Sequence, residues 1–472
     1  MAWRPIDMSE LAEQNTTPLG GDGVDRRHFL KNAGAAVLAG SATAMSAQAY
    51  SRTLGANDRI RLGQLGCGGR ARGHVMMVHG AAQRTPVETV AVCDIWKLAR
   101  ERAIAQVQQQ FGTAPDAYQY SEKMLARNDI DGVMIATGDF QHAKLCMEVV
   151  QAGKDCYVEK PFANVLAEAK ATRKVVKDSK QVVQMGTQHR SQPYPLAIRD
   201  VIRSGRIGDI AKITQEWDVN QQRWRYIRVN DDGKNPTLLK EEDTDWKRWL
   251  LGKPFRPFDP HVYQEFRLYK DFSSGILDQW LSHGSDLVHL WTDETHPVSA
   301  VTTGGILTWK DGRENPDNVS VTFIYPKGFI YTYTTTFSNS YRSRTVIKGR
   351  DGTIEALGGE GASLIMVTKE GGKHQRDMPR YTAFPTMGPE ADAAEILTVP
   401  DGPAPNSNGP GDNDVNHLMN WLNAMRDRKA PNATVDHGFS HAIACIMATQ
   451  SYWSGKRLYW DPTKEEIVDR PV

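Results

Sequence analysis

Three groups of residues in this chain have the types and spacing to do chemistry. Gly66-Cys67-Gly68-Gly69-Arg70-Ala71 fits G-x-G-x-x-G/A, the pattern of a turn that cradles a diphosphate. Glycine at 66 permits the tight turn, and glycine at 68 lets backbone approach an anion. The small Ala71 lets a following helix pack closely, with its unpaired N–H groups offered to the phosphates. Asp94 closes the next β-rich run. There a carboxylate can accept both ribose hydroxyls and would repel a 2′-phosphate, so NAD is expected over NADP. Lys160 follows Asp155-Cys156-Tyr157-Val158 and precedes Pro161, so it should project from the C-terminal end of a strand, where open α/β sheets place ligands. The Lys160–Pro161 bond is of the kind that can be cis. An ammonium held there can polarise a hydroxyl or carbonyl oxygen and share its proton during hydride transfer. The bland alternatives are a plain turn with a capping aspartate and a lysine facing solvent.

These groups meet only if strands and helices alternate around them, and the sequence reads that way. Ile60 to Leu65 alternates into a strand, Ala71 to Val78 reads as a helix, and Val87 to Cys93 is a β-rich run. Trp96 to Phe111 is helical, Asp131 to Ala136 a buried-looking strand, and His142 to Ala152 a helix. Asp155 to Val158 and Val182 to Gly186 are strands flanking a helix from Ala167 to Lys177. This spacing predicts parallel β-α-β units in a doubly wound Rossmann sheet over residues 57–186. Beyond it, Ile207 to Val219, Val298 to Thr308, Asn318 to Tyr325, Phe329 to Phe337 and Arg344 to Gly349 read as strands joined by polar turns. They predict a second α/β domain over residues 187–472, with an open, largely antiparallel sheet. Gly402 to Gly411 reads as a loop, and Val415 to Arg428 and His437 to Trp453 as amphipathic helices.

The 472 residues carry 24% charged and 40% hydrophobic side chains and a formal net charge of +1. That balance suits a soluble globular protein of two domains and offers no basic field for nucleic acid. Five scattered cysteines without C-x-x-C spacing read as reduced packing residues. His74/His79 and His283/His289 lack the one-face helical spacing of zinc ligands, so no metal is expected. Residues 1–50 stand apart. Arg26-Arg27 precede an Ala/Gly-rich run ending in Ala47-Gln48-Ala49, a pattern that resembles a twin-arginine leader. The translocon that reads such a leader exports proteins already folded, so a periplasmic or otherwise exported protein is expected. The run is too short and weakly apolar for a membrane span.

The chain as a whole resembles the glucose–fructose oxidoreductase/inositol dehydrogenase (Gfo/Idh/MocA) family. The matching runs are Gly66 to Gly73 (GCGGRARG), Thr137 to His142 (TGDFQH), Glu159-Lys160-Pro161 and Gly186 to Ser191 (GTQHRS). Further matches are Asp245 to Gly252 (DWKRWLLG), His283-Gly284-Ser285-Asp286 and Leu458 to Pro462 (LYWDP). The resemblance implies a C-terminal sheet that lines the substrate site and forms contacts in a homo-oligomer. It implies that Lys160 is the lysine of the Glu-Lys-Pro motif and that His283 exchanges a proton with the substrate hydroxyl. Thr137 and His142 would flank the nicotinamide side of the cofactor, and Glu159 would lie near the nicotinamide or its ribose. Family members usually carry an acidic residue four positions before this histidine. Here Gln279 holds that place, and Asp278, one residue further back, would join the catalytic set through a local bulge. Gly138 stands where a proline is frequent.

The resemblance thus implies an NAD-dependent oxidoreductase acting on a sugar or polyol. His283 takes a hydroxyl proton, Lys160 stabilises the alkoxide, and the hydride passes to the nicotinamide. Exported from a cytoplasmic NAD pool, such an enzyme should keep its dinucleotide as a prosthetic group. His189, Arg190, Trp246, Trp249, Tyr263 and Arg267 are candidate substrate contacts, since aromatic faces and guanidinium groups suit a polyhydroxylated ring. Two rival classes are a redox-neutral glycosidase, which oxidises, eliminates and re-reduces its sugar on bound NAD, and a non-catalytic sugar or dinucleotide sensor.

Overall fold

Short apolar runs punctuated by glycine and aspartate become the strands of a buried parallel sheet, because helices cover both of its faces. A computed structural model of the chain describes residues 59–221, 239–341, 343–357, 364–369, 395–399 and 412–472. The leader expected at residues 1–50 and the loop from Gly402 to Gly411 lie outside the described residues. Strand β1 (Ile60–Leu65) leads through the glycine turn into helix α1 (Gly69–Ala82), then β2 (Val87–Cys93), α2 (Lys97–Phe111) and β3 (Asp116–Tyr118). The short α3 (Ser121–Leu125) leads to β4 (Gly132–Ile135), α4 (His142–Gln151), β5 (Asp155–Val158), α5 (Leu166–Asp178) and β6 (Val183–Met185). The strand order is β3-β2-β1-β4-β5-β6, parallel throughout. The order reverses between β1 and β4, so a crevice opens at the C-terminal ends of those strands.

A second sheet follows, with ten strands among the described residues. Helix α6 (Pro193–Arg203) leads into β7 (Ile210–Asp218). Short helices α7 (Trp246–Trp249), α8 (Pro260–Gln264) and α9 (Ile276–Gln279) precede α10 (Leu281–Thr292). Strands β8 (Ser299–Gly305), β9 (Asn318–Ile324), β10 (Ile330–Thr336), β11 (Ser343–Gly349), β12 (Gly352–Leu357), β13 (Leu364–Lys369) and β14 (Glu395–Thr398) come next. Helices α11 (Asp412–Asp427) and α12 (Val435–Ser454) and strands β15 (Leu458–Asp461) and β16 (Glu466–Val468) close the chain. The order is β14-β13-β12-β11-β7-β10-β9-β8-β15-β16. Among the described residues only β7 and β10 pair in parallel there. The largely antiparallel second sheet expected from the sequence is therefore present.

Two strand ends differ from the sequence reading by more than one residue, each for a local reason. Strand β8 stops at Gly305 because the Asp317 carboxylate accepts N–H bonds from Leu307, Thr308 and Trp309, curling the chain around it. Strand β7 begins at Ile210 because Ile207 lies in a turn between Gly205 (φ +76°) and Gly208 (φ +66°). Helix α11 returns to the first sheet. Val415, Leu418, Trp421, Leu422 and Met425 pack with Ile60, Leu62, Met77, Val78 and Tyr157, and a Cβ at Gly132 would stand 2.9 Å from the Trp421 ring. All five cysteines are buried and unbridged. Among the described residues no helix is long and apolar enough to cross a membrane.

Candidate active site

The glycine turn opens onto a cavity of about 750 Å³ at the C-terminal edge of the first sheet. Gly66 adopts φ +84°, and a Cβ there would stand 2.6 Å from the Ala136 carbonyl oxygen, so only glycine fits. Gly68 and Gly69 are different: a Cβ on either would meet no protein atom within 4 Å. Their missing side chains leave room on the cavity side, where helix α1 begins without a side-chain cap. Space beside backbone N–H groups at a helix start suits a diphosphate. Five arginines line the cavity (Arg70, Arg72, Arg102, Arg248 and Arg267) against two carboxylates, Asp94 and Glu148, an excess that also favours an anion. Asp94 accepts from the Cys67 N–H at 2.7 Å and from the Trp96 N–H at 2.8 Å. Burial raises its pKa against those two bonds. It thus fixes the turn while keeping a place in the cavity wall. Cys67 lines the same wall, its Sγ 3.6 Å from the Cys93 carbonyl.

Glu159 and Lys160 stand where β5 ends. Glu159 is buried and points back to α1, accepting from Arg70 Nε at 2.5 Å and His74 Nε2 at 2.9 Å. Burial would raise its pKa, but the Arg70 guanidinium and His74 outweigh that and hold it well below the carboxylate range. A Cβ at Gly186 would stand 2.9 Å from this carboxylate, which accounts for the glycine opening GTQHRS. Arg70 is therefore engaged by Glu159 while it lines the cavity. Lys160 Nζ donates to the Gln279 main-chain oxygen at 2.9 Å and lies 3.4 Å from its Oε1. The Lys160–Pro161 bond is cis. Thr137 lines the cavity, and its buried Oγ1 has no hydrogen-bond partner among the described residues. His142 sits behind the cavity, its Nδ1–H donating to the Pro161 carbonyl at 2.8 Å.

His283 lies four residues beyond Gln279, at the start of α10. A Cβ at Gly284 would stand 2.6 Å from the Tyr331 hydroxyl and 2.7 Å from Gln215 Oε1, so that glycine seats the helix on β7 and β10. Burial, with the Lys160 and His189 charges, pushes the His283 pKa well below its usual value, leaving a neutral ring able to take a proton. Its Nδ1 has no hydrogen-bond partner among the described residues. The His189 ring lies 4.9 Å away and the Trp217 ring 6.1 Å away.

The remaining sequence candidates separate. Tyr263 and Arg267 line the cavity with Trp249. Tyr263 stacks on Trp249 at 5.1 Å and meets the edge of Trp96 at 6.1 Å. Trp246 is a packing residue, stacked on Trp249 at 4.8 Å with its Nε1 donating to the Arg256 carbonyl. Arg190 is buried in an ion pair with Asp286, Nε lying 2.8 and 2.9 Å from the two carboxylate oxygens, and so faces away from the cavity. Asp278 has one oxygen accepting from the Ser274 N–H and the other without a partner among the described residues. The structure brings Gln279, not Asp278, to Lys160. Lys160 and His283 are not among the residues lining the large cavity; they stand beside it. The sequence reading passed over Arg72, Arg102, Arg248 and Gln264, all in the cavity wall. Asp139 was given no role of its own either, although it lies within the run from Thr137 to His142. Charged side chains on helix faces look alike in sequence until the fold shows which of them turn inward.

Two models describe this chain: an oxidoreductase family, NAD-binding Rossmann fold, over residues 60–187, and the same family's C-terminal alpha/beta domain over residues 253–459. The chain is 31% identical over 195 residues to an inositol 2-dehydrogenase of Rhizobium meliloti (strain 1021), covering 41% of this chain and 56% of that protein. It is 27% identical over 227 residues to a glycosyl hydrolase family 109 protein of Shewanella sp. (strain W3-18-1), covering 44% and 48%. The chain thus spans about half the length of these curated relatives. A levoglucosan dehydrogenase solved with NADH superposes with a TM-score of 0.62 at 18% identity, over 88% of this chain and 99% of that one. An oxidoreductase from Agrobacterium radiobacter solved with NAD+, L-tartaric acid and magnesium superposes at 0.61 and 14% identity, over 85% and 98%. These likenesses show the fold.

The glycine turn separates structure from binding. Gly66→Ala is expected to destabilise the protein by about 1–3 kcal/mol, because it forces a side chain into the left-handed region. Gly68→Ala should leave the urea midpoint unchanged and weaken dinucleotide binding at least about tenfold, the equivalent of one lost hydrogen bond. Calorimetric titration beside the unfolding curve checks both. Asp278 makes a pH prediction. Burial, then the nearby Asp139 charge, raises its pKa to about 7, against about 4 in an unfolded chain. Between those values the native state holds the extra proton, so stability falls as pH rises through that window and is lowest above pH 7. Asp278→Asn removes this loss, at most about 4 kcal/mol. Its stability relative to wild type should improve between pH 5 and pH 8 in denaturant unfolding; a pH-independent difference would exclude the buried acid.

Proposed function

The chain belongs to the Gfo/Idh/MocA oxidoreductase family, and on that premise we propose that it is an NAD-dependent oxidoreductase acting on a hydroxyl-bearing carbon of a sugar, cyclitol or glycoside. One observation carries the reading. An ammonium, Lys160, is held at the end of β5 beside a cavity with a glycine cradle, and a neutral imidazole, His283, stands four residues beyond the Gln279 carbonyl that binds it. Bound NAD supplies the hydride acceptor, or in reverse the donor. His283 takes the substrate's hydroxyl proton, since its burial beside a cation disfavours the imidazolium until an alkoxide forms to offset it. Lys160 stabilises that alkoxide. Trp249, Tyr263 and Phe266 form an apolar part of the cavity wall, excluding water from the transfer. The inositol and levoglucosan dehydrogenases among the relatives support a polyhydroxylated substrate.

Retention of the dinucleotide belongs to the same proposal. The Arg26-Arg27 leader and folded-state export would carry the protein away from a free NAD pool, so the cofactor is regenerated on the protein by a second carbonyl substrate or by the same one. The segment from Arg248 to Arg267 faces the glycine turn across the cavity, which supports a closed, slowly exchanging site. A homo-oligomer is proposed as well. The second sheet turns Ser320, Thr322, Ile324, Ile330, Thr332 and Thr334 away from the face that packs into the core, leaving Ile324 and Ile330 37% and 43% exposed.

A redox-neutral glycosidase is the second reading, favoured by the glycosyl hydrolase family 109 relative. Lys160→Ala and His283→Ala should each cut turnover about 10²–10⁴-fold and leave bound dinucleotide in the purified protein. The readouts are the reduced-nicotinamide band with a panel of polyols and the dinucleotide released on denaturation. Unchanged turnover in either variant removes that residue. Release of phenol from aryl glycosides without added NAD, abolished in both variants, would move the assignment to the glycosidase.

A further inference from the structure

Lys160 sits against an amide rather than a carboxylate, and the negative charge lies one side chain further back. Gln279 accepts from Lys160 through its main-chain oxygen at 2.9 Å, with Oε1 at 3.4 Å, while its Nε2 donates to Asp139 Oδ2. That orientation is the one the partners permit, because an ammonium cannot accept a hydrogen bond and a carboxylate cannot donate one. Asp139 has no exposed surface; the Ser273 hydroxyl donates to its Oδ2 at 2.7 Å, and Arg267 approaches its Oδ1 at 3.5 Å. Phe140 and Gln141, the other residues of its turn, are likewise buried, and α4 follows directly. A buried carboxylate needs positive charge nearby, and here the cations on either side are Arg267 in the cavity wall and Lys160 across the Gln279 amide.

From this arrangement we infer that Asp139 is the positioning residue of the Lys160 site: by binding the Gln279 amide nitrogen it turns the amide oxygen toward the lysine and supplies the negative charge that Gln279 lacks. The inference rests on the proposed role of Lys160. A donor bond from Nε2 to a carboxylate polarises the amide and makes Oε1 a stronger acceptor. The other titratable groups facing this site are Glu159 just beyond β5, His142 on α4, Asp278 on α9, His283 on α10, Cys445 on α12, and His189. Glu159 is neutralised by Arg70 and His74. Asp278 feels both Asp139 and Lys160, so it shares the site's charge without touching the amide.

The test reads Lys160 directly, in protein purified with its dinucleotide and grown on nitrogen-labelled lysine. The Nζ signal is assigned by Lys160→Arg and titrated by NMR. Asp139→Asn keeps a group able to bond Gln279 but removes the charge and the fixed amide orientation. It should lower the Lys160 titration midpoint by about one pH unit, move the basic limb of the rate profile down equally, and reduce kcat on the order of 10- to 100-fold with little change in KM. Asp139→Asn combined with Gln279→Glu moves the carboxylate next to the lysine and should restore the midpoint to the wild-type value or above. Should Asp139→Asn alone fail to fold, Gln279→Leu cuts the link and is expected to give the same lowered midpoint. A Lys160 titration identical in wild type and the folded variant overturns the inference, as does a double variant that recovers nothing. The NMR signal needs no turnover. Failure to oxidise any polyol would therefore count against the proposed function, while the titration still decides the role of Asp139.

Discussion

An ammonium at the end of a β-strand inside a protein must find oxygen atoms to receive its N–H groups, and Lys160 finds them on the other half of the chain. Its Nζ reaches the Gln279 carbonyl at 2.9 Å, at the point where α9 gives way to α10. That contact ties the parallel sheet to the helix carrying His283. The second domain is thus held in register with the first at the place where the chemistry is proposed. Buried charge strengthens the coupling, since in a low dielectric an unmet ammonium costs far more than it does at a surface. The same logic applies to Glu159, the residue before it, which faces the opposite way and binds Arg70 and His74 of α1. Two consecutive residues of one strand end therefore fix the helix behind the glycine turn and the helix that carries His283.

Much of what resembles catalytic machinery in the sequence serves this placement. In the run from His283 to Asp286, Gly284 admits the Tyr331 hydroxyl and Gln215 beneath the helix, and Asp286 takes the guanidinium of Arg190. Burial would raise the Asp286 pKa, yet Arg190 and His441 hold it well below the carboxylate range. His283 is the member of the run left without an Nδ1 partner among the described residues. In the run from Gly186 to Ser191, Gly186 makes way for Glu159 and Gln188 donates to the Tyr157 hydroxyl at 3.1 Å. His189 is the residue there that approaches His283. A motif of six residues can thus contain one group available for chemistry, with the others holding it still.

The first sheet could be read from sequence because parallel strands buried on both faces give short apolar runs, and the ends of β2 and β5 fall where glycine and charge punctuate them. Gly66 could be read for the same reason, its backbone conformation excluding other residues. The helices from Trp246 to Thr292 were harder, since α7, α8 and α9 are each too short to show a helical period. The first two are placed by caps instead: Asp259 accepts from His261 and Val262, and Asp245 from Arg248. Local sequence was also silent on the link between Gln279 and Asp139. Their importance comes from 140 residues of separation closed by one side-chain bond, a relation that only the packed chain contains.

The distribution of charge around the cavity then follows a gradient that suits its proposed contents. Arginines gather where the glycine turn offers its amides, and Asp94 is largely spent on holding that turn. Beside the cavity the groups are a half-buried lysine, a neutral histidine and two buried carboxylic groups. One of these, Asp278, stands close to the balance between its charged and neutral forms. An arrangement of this kind changes its net charge by one proton at little cost, because burial has already brought its groups away from their solution preferences. A site that must receive a hydroxyl proton, hold it while the carbon changes oxidation state and return it can work without bulk water only if such a place exists. The Lys160–Gln279–Asp139 chain lies beside it, linking the group that would touch the substrate oxygen to a carboxylate with no exposed surface. The positions of these few protons, more than the shape of the cavity, are therefore what the packing between the two sheets determines.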